Sequence, residues 1–235
     1  MRILVTRPRD DAEAFAARLH ALGHTTIIEP VIDVVFRDGA PLDLTGVQAL
    51  AFTSANGVRA AARRTVVRNV PVVAVGPATA AEATAAGFAS ISQSSGDGVA
   101  GLADHIRASL KPAAGMVLHA TGTVTAGDLR AALKPAGFEV RTAQLYEARA
   151  ADGLSGALCA ELGSGAIDAA VFFSPRTASL FAALVEAENL ASACRSMTAL
   201  TLSEAVANAL DSLSFREVRV AARPTAEALL ALLAP

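Results

Sequence analysis

The segment LAFTSANGVRA, residues 50–60, runs an apolar stretch into Thr53, Ser54, Asn56 and Gly57 and then into a helical pattern. AVFFSPRTASLFAAL, residues 170–184, repeats the order with Ser174, Pro175 and Thr177. Gly76 with Thr79, in GPATAAEA, and Thr121 to Thr125 stand after further apolar runs. Small residues let a ligand approach backbone N–H groups, and hydroxyls add short donors, so such ends suit an anion. The same residues cap helices, and at any one position capping is a sufficient reading. Recurrence along the chain is what points to ligand binding.

Other polar residues are open to two readings. Arg7, just past the first apolar run, can pair with a ligand carboxylate or cover a helix end. Asn56 and Gly57 fit a helix-start turn with close backbone approach. His119, at a strand end, reads as a packed histidine before it reads as a site neighbour. His20 and His24 lie four apart, but Gly23 ends the helix between them, so they do not make a metal pair. Cys159 and Cys194 form no CxxC motif, which fits a reduced intracellular chain.

Composition narrows the classes. The 235 residues are 53% hydrophobic and 18% charged, enough to bury one large core or two modest ones. Net charge is −2 and no lysine or arginine run occurs, so no nucleic-acid or membrane footprint is expected, and an anionic ligand must be held locally. The opening MRILVTRP is too short an apolar run for a signal peptide, and the alanine-rich segments are broken before membrane-spanning length. The cytoplasm is the expected location.

The elements that would position these residues alternate regularly. Ten apolar runs read as strands: 2–6, 25–30, 47–52, 70–75, 88–92, 115–120, 138–144, 167–173, 197–201 and 217–221. Helical stretches lie between most of them, as in DDAEAFAARLHALG, where Phe15, Leu19 and Leu22 share a face. Gly23, Gly87 and Gly137 sit at natural helix ends. Continuously apolar strands alternating with helices predict parallel sheets covered on both faces. An internal repeat, ILVTRPRDDAEAF against MVLHATGTVTAGDL, at a spacing of about 115 to 125 residues, argues for two sheets of five. The polar, glycine-bearing segments 34–43 and 147–156 read as the joints. Ligands on such sheets bind beyond the carboxyl ends of the strands.

TRP at 6–8, FTSANGV at 52–58, VAVGPATAAEA at 73–83, LYEA at 145–148, VFFSPRTASLF at 171–181 and ARPTAEALLALL at 222–233 together resemble the uroporphyrinogen-III synthase family. The resemblance spans nearly the whole chain and rests on the order and spacing of the motifs. It implies two flavodoxin-like, doubly wound parallel-sheet domains joined by a two-stranded linker. One would comprise residues 1–35 and 149–235, the other 36–148, with linkers near 34–43 and 147–153. It also implies a reaction: closure of the linear tetrapyrrole hydroxymethylbilane to uroporphyrinogen III, with the terminal pyrrole inverted, water lost, and no metal or organic cofactor. The steps are loss of the terminal hydroxyl, formation of an azafulvene, and attack through a spiro intermediate.

On this resemblance Tyr146, the single tyrosine, is the candidate general acid for the departing hydroxyl. The competing reading is an interfacial aromatic with a wetted hydroxyl. Phenols are weak acids at neutral pH, so orientation is a second role open to it. Arg7, Thr53, Ser54, Asn56, Gly57, Gly76, Thr79, Thr121, Ser174, Pro175 and Ser203 would hold the polycarboxylate substrate, in a cleft that both domains share. A monomer is expected, with a transient contact to the preceding pathway enzyme. One departure stands out: the second half reads TLSEA where the family keeps a Gly-x-Thr type of turn, which places Glu204 at a helix start. Either Ser203 alone supplies that contact, or Glu204 turns outward. The alternative function, a noncatalytic two-domain binding module for another anionic small molecule, would hold if Glu204 blocked the site.

Overall fold

The structure, a computed structural model, describes residues 1–96, 98–125 and 127–233. In chain order the strands are β1 (Arg2–Val5), β2 (Thr25–Ile28), β3 (Ile32–Phe36), β4 (Val47–Phe52), β5 (Val72–Ala74), β6 (Ile91–Gln93), β7 (Met116–Gly122), β8 (Val140–Ala150), β9 (Ala169–Phe172), β10 (Thr198–Thr201) and β11 (Glu217–Val220). The α-helices are α1 (Arg9–Ala21), α2 (Ala55–Arg64), α3 (Pro77–Ala85), α4 (Gly98–Ser109), α5 (Leu129–Leu133), α6 (Gly156–Gly163), α7 (Pro175–Ala187), α8 (Glu204–Asn208) and α9 (Ala226–Ala231). The chain divides into two compact units, Met1–Asp33 with Arg149–Pro235, and Val34–Ala148.

The first unit holds a five-stranded sheet in the order β11-β10-β9-β1-β2. All four of its ladders are parallel, with Ile3 opposite Ala169 and Val5 opposite Val171 at the centre. Alternate residues face opposite layers. Ile3, Val5, Val171 and Leu200 pack with Phe15 and Leu19 of α1, where Phe15 meets Phe173 edge to face at 4.9 Å. Phe172 faces the other way and lies 5.2 Å from Phe181 of α7.

The second unit's sheet runs β3-β8-β7-β4-β5-β6. The ladders joining β8, β7, β4, β5 and β6 are parallel. Leu102 and Ile106 of α4, with Leu129 and Leu133 of α5, cover Ala49, Ala51 and Val117 on one face. On the other, Val58 and Ala61 of α2 and Ala83 of α3 cover Leu50, Phe52, Leu118 and Ala120. Fully burying each large side chain contributes about 1.5–3 kcal/mol. Burial on both faces explains why these strands read as unbroken apolar runs.

The two sheets share one layout. By position the first is 2-1-3-4-5, the flavodoxin-like order, and the second repeats it with β8-β7-β4-β5-β6. Only the chain's entry differs: in the second unit β4, β5 and β6 come before β7 and β8. The repeat between the β1 and β7 segments thus marks equivalent strands.

Two expectations need correction. Eleven strands form instead of ten, because the expected joint begins as a strand: β3 crosses the boundary between the units at Asp33 and Val34. Its burial alternates, buried at Ile32 and exposed at Asp33 and Val35, so it lacks the continuous apolar signature. For the same reason β8 runs on to Ala150, through a segment whose charged residues suggested a joint. Arg37 donates to the Leu145 carbonyl at 2.8 Å along this edge. The strand expected at 88–92 begins at Ile91 instead, since Phe88 turns inward, 4% exposed, and packs 6.1 Å from Phe52. Among the described residues no helix is long and apolar enough to cross a membrane.

Candidate functional site

In a sheet of this order the loops after the first and third positions diverge and leave a crevice. In the second unit those positions are β7 and β4, and Thr53 and Ser54 follow β4 directly. Ser54 is extended, with φ −159° and ψ 156°, and its Oγ accepts the Gly57 N–H at 3.1 Å, so it does cap α2. The same Oγ lies 2.8 Å from the Tyr146 hydroxyl. The cap bond and the contact with Tyr146 therefore coexist at Ser54.

Tyr146 reaches Ser54 because of a local irregularity. The β7–β8 register shifts between Thr121 and Gly122, which sets Tyr146 opposite Gly122, and the Thr123 N–H donates to the Tyr146 carbonyl at 3.0 Å. A Cβ at Gly122 would stand 2.8 Å from Cε2 of the tyrosine ring, so the ring occupies space that only glycine leaves. Gly122 was not among the expected residues; a lone glycine at a strand end gives no sign of its partner.

On the opposite face, Thr53 Oγ1 is 3.4 Å from Nε2 of His119. His119 is 3% exposed. Burial pushes its imidazole below the ordinary histidine value, with the Asp128 carboxylate opposing in part.

Other expected residues have structural partners. Asn56 accepts from Arg59 at 3.0 Å, and Arg59 pairs with Glu82 of α3 at 2.7 Å. Gly57 is buried, and a Cβ there would meet the Ala120 carbonyl oxygen at 2.7 Å. Its close approach is to β7 rather than to open space. Gly76 precedes Pro77 at the start of α3, which no side chain caps, and Thr79 is 5% exposed in the first turn. Thr121 lies within β7, 2% exposed and opposite Gln144, instead of beyond the strand end. The strand extends two residues further than its apolar run suggested.

In the first unit the equivalent positions are β1 and β9. Thr6 Oγ1 donates to the Val171 carbonyl at 3.1 Å. Arg7 stacks 4.1 Å over the Phe173 ring and pairs with Asp11 at 2.9 Å. Ser174 caps α7 through the Thr177 N–H at 3.2 Å, and its Oγ is 2.8 Å from Thr177 Oγ1. Pro175 takes the first helical position, where its missing N–H costs nothing. Ser203 precedes α8 without a side-chain cap bond, and Glu204 beside it is exposed.

Among the described residues no three His, Cys, Asp or Glu side chains gather as metal ligands. Two surface grooves, of about 600 Å³ around Arg18, Leu22 and Leu230 and about 710 Å³ around Arg130, Lys134 and Arg141, contain none of the strand-end side chains.

The caps carry a prediction. Ser54→Ala and Ser174→Ala should each lower stability by about 1 kcal/mol, through loss of an N-cap bond. Denaturant midpoints check this, and unchanged midpoints for both would show that these caps add nothing to stability.

The fold and these strand ends define a doubly wound α/β protein of two units, with hydroxyls beyond the central strands of each. Residues 13–231 match the uroporphyrinogen-III synthase HemD family, and the chain belongs to it. The uroporphyrinogen-III synthetase structure from Helicobacter pylori is similar in fold, with a TM-score of 0.64 at 19% identity over 99% of this chain and 98% of that one. A mutant uroporphyrinogen III synthase structure from the extremely thermophilic bacterium Thermus thermophilus gives a TM-score of 0.50 at 19% identity, over 99% and 97% of the two chains. A uroporphyrinogen-III synthase candidate of Methanocaldococcus jannaschii is 34% identical over 58 residues, a match that spans 25% of this chain and 24% of that protein.

Proposed function

We propose that this chain cyclises hydroxymethylbilane to uroporphyrinogen III, inverting the terminal pyrrole and releasing water. The observation that carries the reading is the Tyr146–Ser54 hydroxyl pair at 2.8 Å, at the strand ends of a chain matched to the synthase family over residues 13–231.

We assign one direction to that pair. Ser54 Oγ accepts the Gly57 N–H and can donate its own proton to the Tyr146 oxygen. The phenol proton is then free to point at the substrate's terminal hydroxyl. As the C–O bond breaks, Tyr146 delivers that proton and water leaves, giving the azafulvene in its N-protonated, cationic form. The Ser54 O–H meanwhile holds the developing phenolate. Attack on the azafulvene and closure through the spiro intermediate release a proton from pyrrole carbon, which restores the phenol. One C–O bond is lost and the ring closes with no net change in oxidation state, so the chemistry calls for no redox cofactor.

The substrate's carboxylates need donors. Within the second unit we assign this role to Thr53 and to backbone N–H groups at the starts of α2 and α3. This reading places the reaction in the cytoplasm, on a monomer that takes its substrate by transient contact with the preceding pathway enzyme. Glu204 is exposed, and nothing favours a noncatalytic binding module. Freshly generated hydroxymethylbilane with products resolved by isomer tests the proposal, because uroporphyrinogen I forms spontaneously and only catalysis gives type III.

A further inference from the structure

We infer that His119 is a positioning residue: as its Nε2–H tautomer it donates to Thr53 Oγ1 and so turns the Thr53 hydroxyl proton outward, toward a substrate carboxylate. The inference rests on the proposed synthase activity. His119 and Thr53 join β7 to β4, the two strands whose following loops diverge, with Nε2 and Oγ1 3.4 Å apart. In register His119 stands between Ala51 of β4 and Thr142 of β8. It lies two residues after Val117, on the face covered by α4 and α5.

A buried imidazole at this place is held neutral by its surroundings, the Asp128 carboxylate at the start of α5 being the charged group that opposes this. The ring then carries one proton, on one nitrogen, and so does the threonine hydroxyl. With the ring proton on Nδ1, Nε2 must accept, the Thr53 proton turns inward, and lone pairs face the ligand. A carboxylate would meet repulsion there. With the ring proton on Nε2, Thr53 accepts from histidine and keeps its own proton for the ligand. Only the second arrangement suits an anion. Consecutive hydroxyls would then each have a dedicated partner, His119 for Thr53 and Tyr146 for Ser54.

Nitrogen-15 NMR of the wild-type protein, labelled in its histidine rings at neutral pH, reads the tautomer directly. The Nε2–H form is expected at His119, and the Nδ1–H form would overturn the inference. Thr53→Val should shift the His119 ring resonances, and unshifted resonances would also overturn it. In turnover, Thr53→Val and His119→Leu should each raise KM for hydroxymethylbilane about three- to tenfold, the loss of one hydrogen bond, with the effect falling on KM rather than kcat. The double variant should be no worse than either single one. His119→Gln, whose amide can still donate, should recover most of the loss. Leucine and glutamine variants that both match wild type would contradict the role, as would equal losses in the two. The NMR arms need no turnover: a wild type that makes no type III product defeats the synthase reading, while the tautomer still decides the His119–Thr53 bond. Should His119→Leu not fold, Thr53→Val and the wild-type spectrum carry the decision.

Discussion

Tyr146→Phe is expected to slow type III formation by about 10²–10⁴-fold, the usual range for loss of a general acid. The ring's packing survives in phenylalanine, including its fit over Gly122, where a Cβ would come within 2.8 Å of the ring. The Ser54 cap to Gly57 survives too, since it does not use the phenol. Stability should therefore barely change, and the loss should appear in a single-turnover measurement. If the phenol only orients a carboxylate, one neutral hydrogen bond of about 1 kcal/mol predicts a drop nearer fivefold. A wild-type rate in the variant would remove Tyr146 from the mechanism.

Gly57→Ala is expected to cost about 1–3 kcal/mol, the range for overpacking a tight contact. Helix propensity alone predicts the opposite sign, since alanine is favoured over glycine in a helix by about 1 kcal/mol. Contact geometry decides. The new Cβ would lie 2.7 Å from the Ala120 carbonyl oxygen, and because both partners are backbone or fixed to it, α2 must move away from β7. That shift carries Ser54 with it, so activity should fall along with the denaturation midpoint. Gly163 in α6 is the internal comparison: a Cβ there meets nothing within 4 Å, and Gly163→Ala should be neutral or stabilising. Equal stability of the Gly57 and Gly163 variants would show that α2 yields without strain.

The parts of the fold that were legible in the sequence are those with a one-dimensional signature. Strands buried on both faces, such as Val47–Phe52 and Ala169–Phe172, announce themselves as apolar runs. Ser54 and Ser174 announce the helices they cap, and the β1–β7 repeat marks two sheets. Half-exposed strands do not behave this way. In β3, at the sheet edge, and in the last third of β8, exposed positions carry Asp33 and Arg149, and charged side chains there resemble a joint.

The candidate site is legible in the sequence as a set of strand-end positions, not as contacts. Ser54 and Tyr146 are 92 residues apart, and Thr53 and His119 are 66 apart. Their meeting depends on register across three strands and on the shift between Thr121 and Gly122, neither of which leaves a local trace. That shift also explains why Gly122 was missed. Arg59 was missed for a related reason: its partners Asn56 and Glu82 sit on two helices whose packing is set by the sheet beneath them.

The most direct measurement is the isomer ratio from freshly generated hydroxymethylbilane, followed over time with and without the wild-type protein. A synthase converts the substrate to uroporphyrinogen III faster than the spontaneous reaction makes type I, and the type III fraction rises with protein concentration. Type I alone, at the rate seen without protein, would contradict the proposed activity.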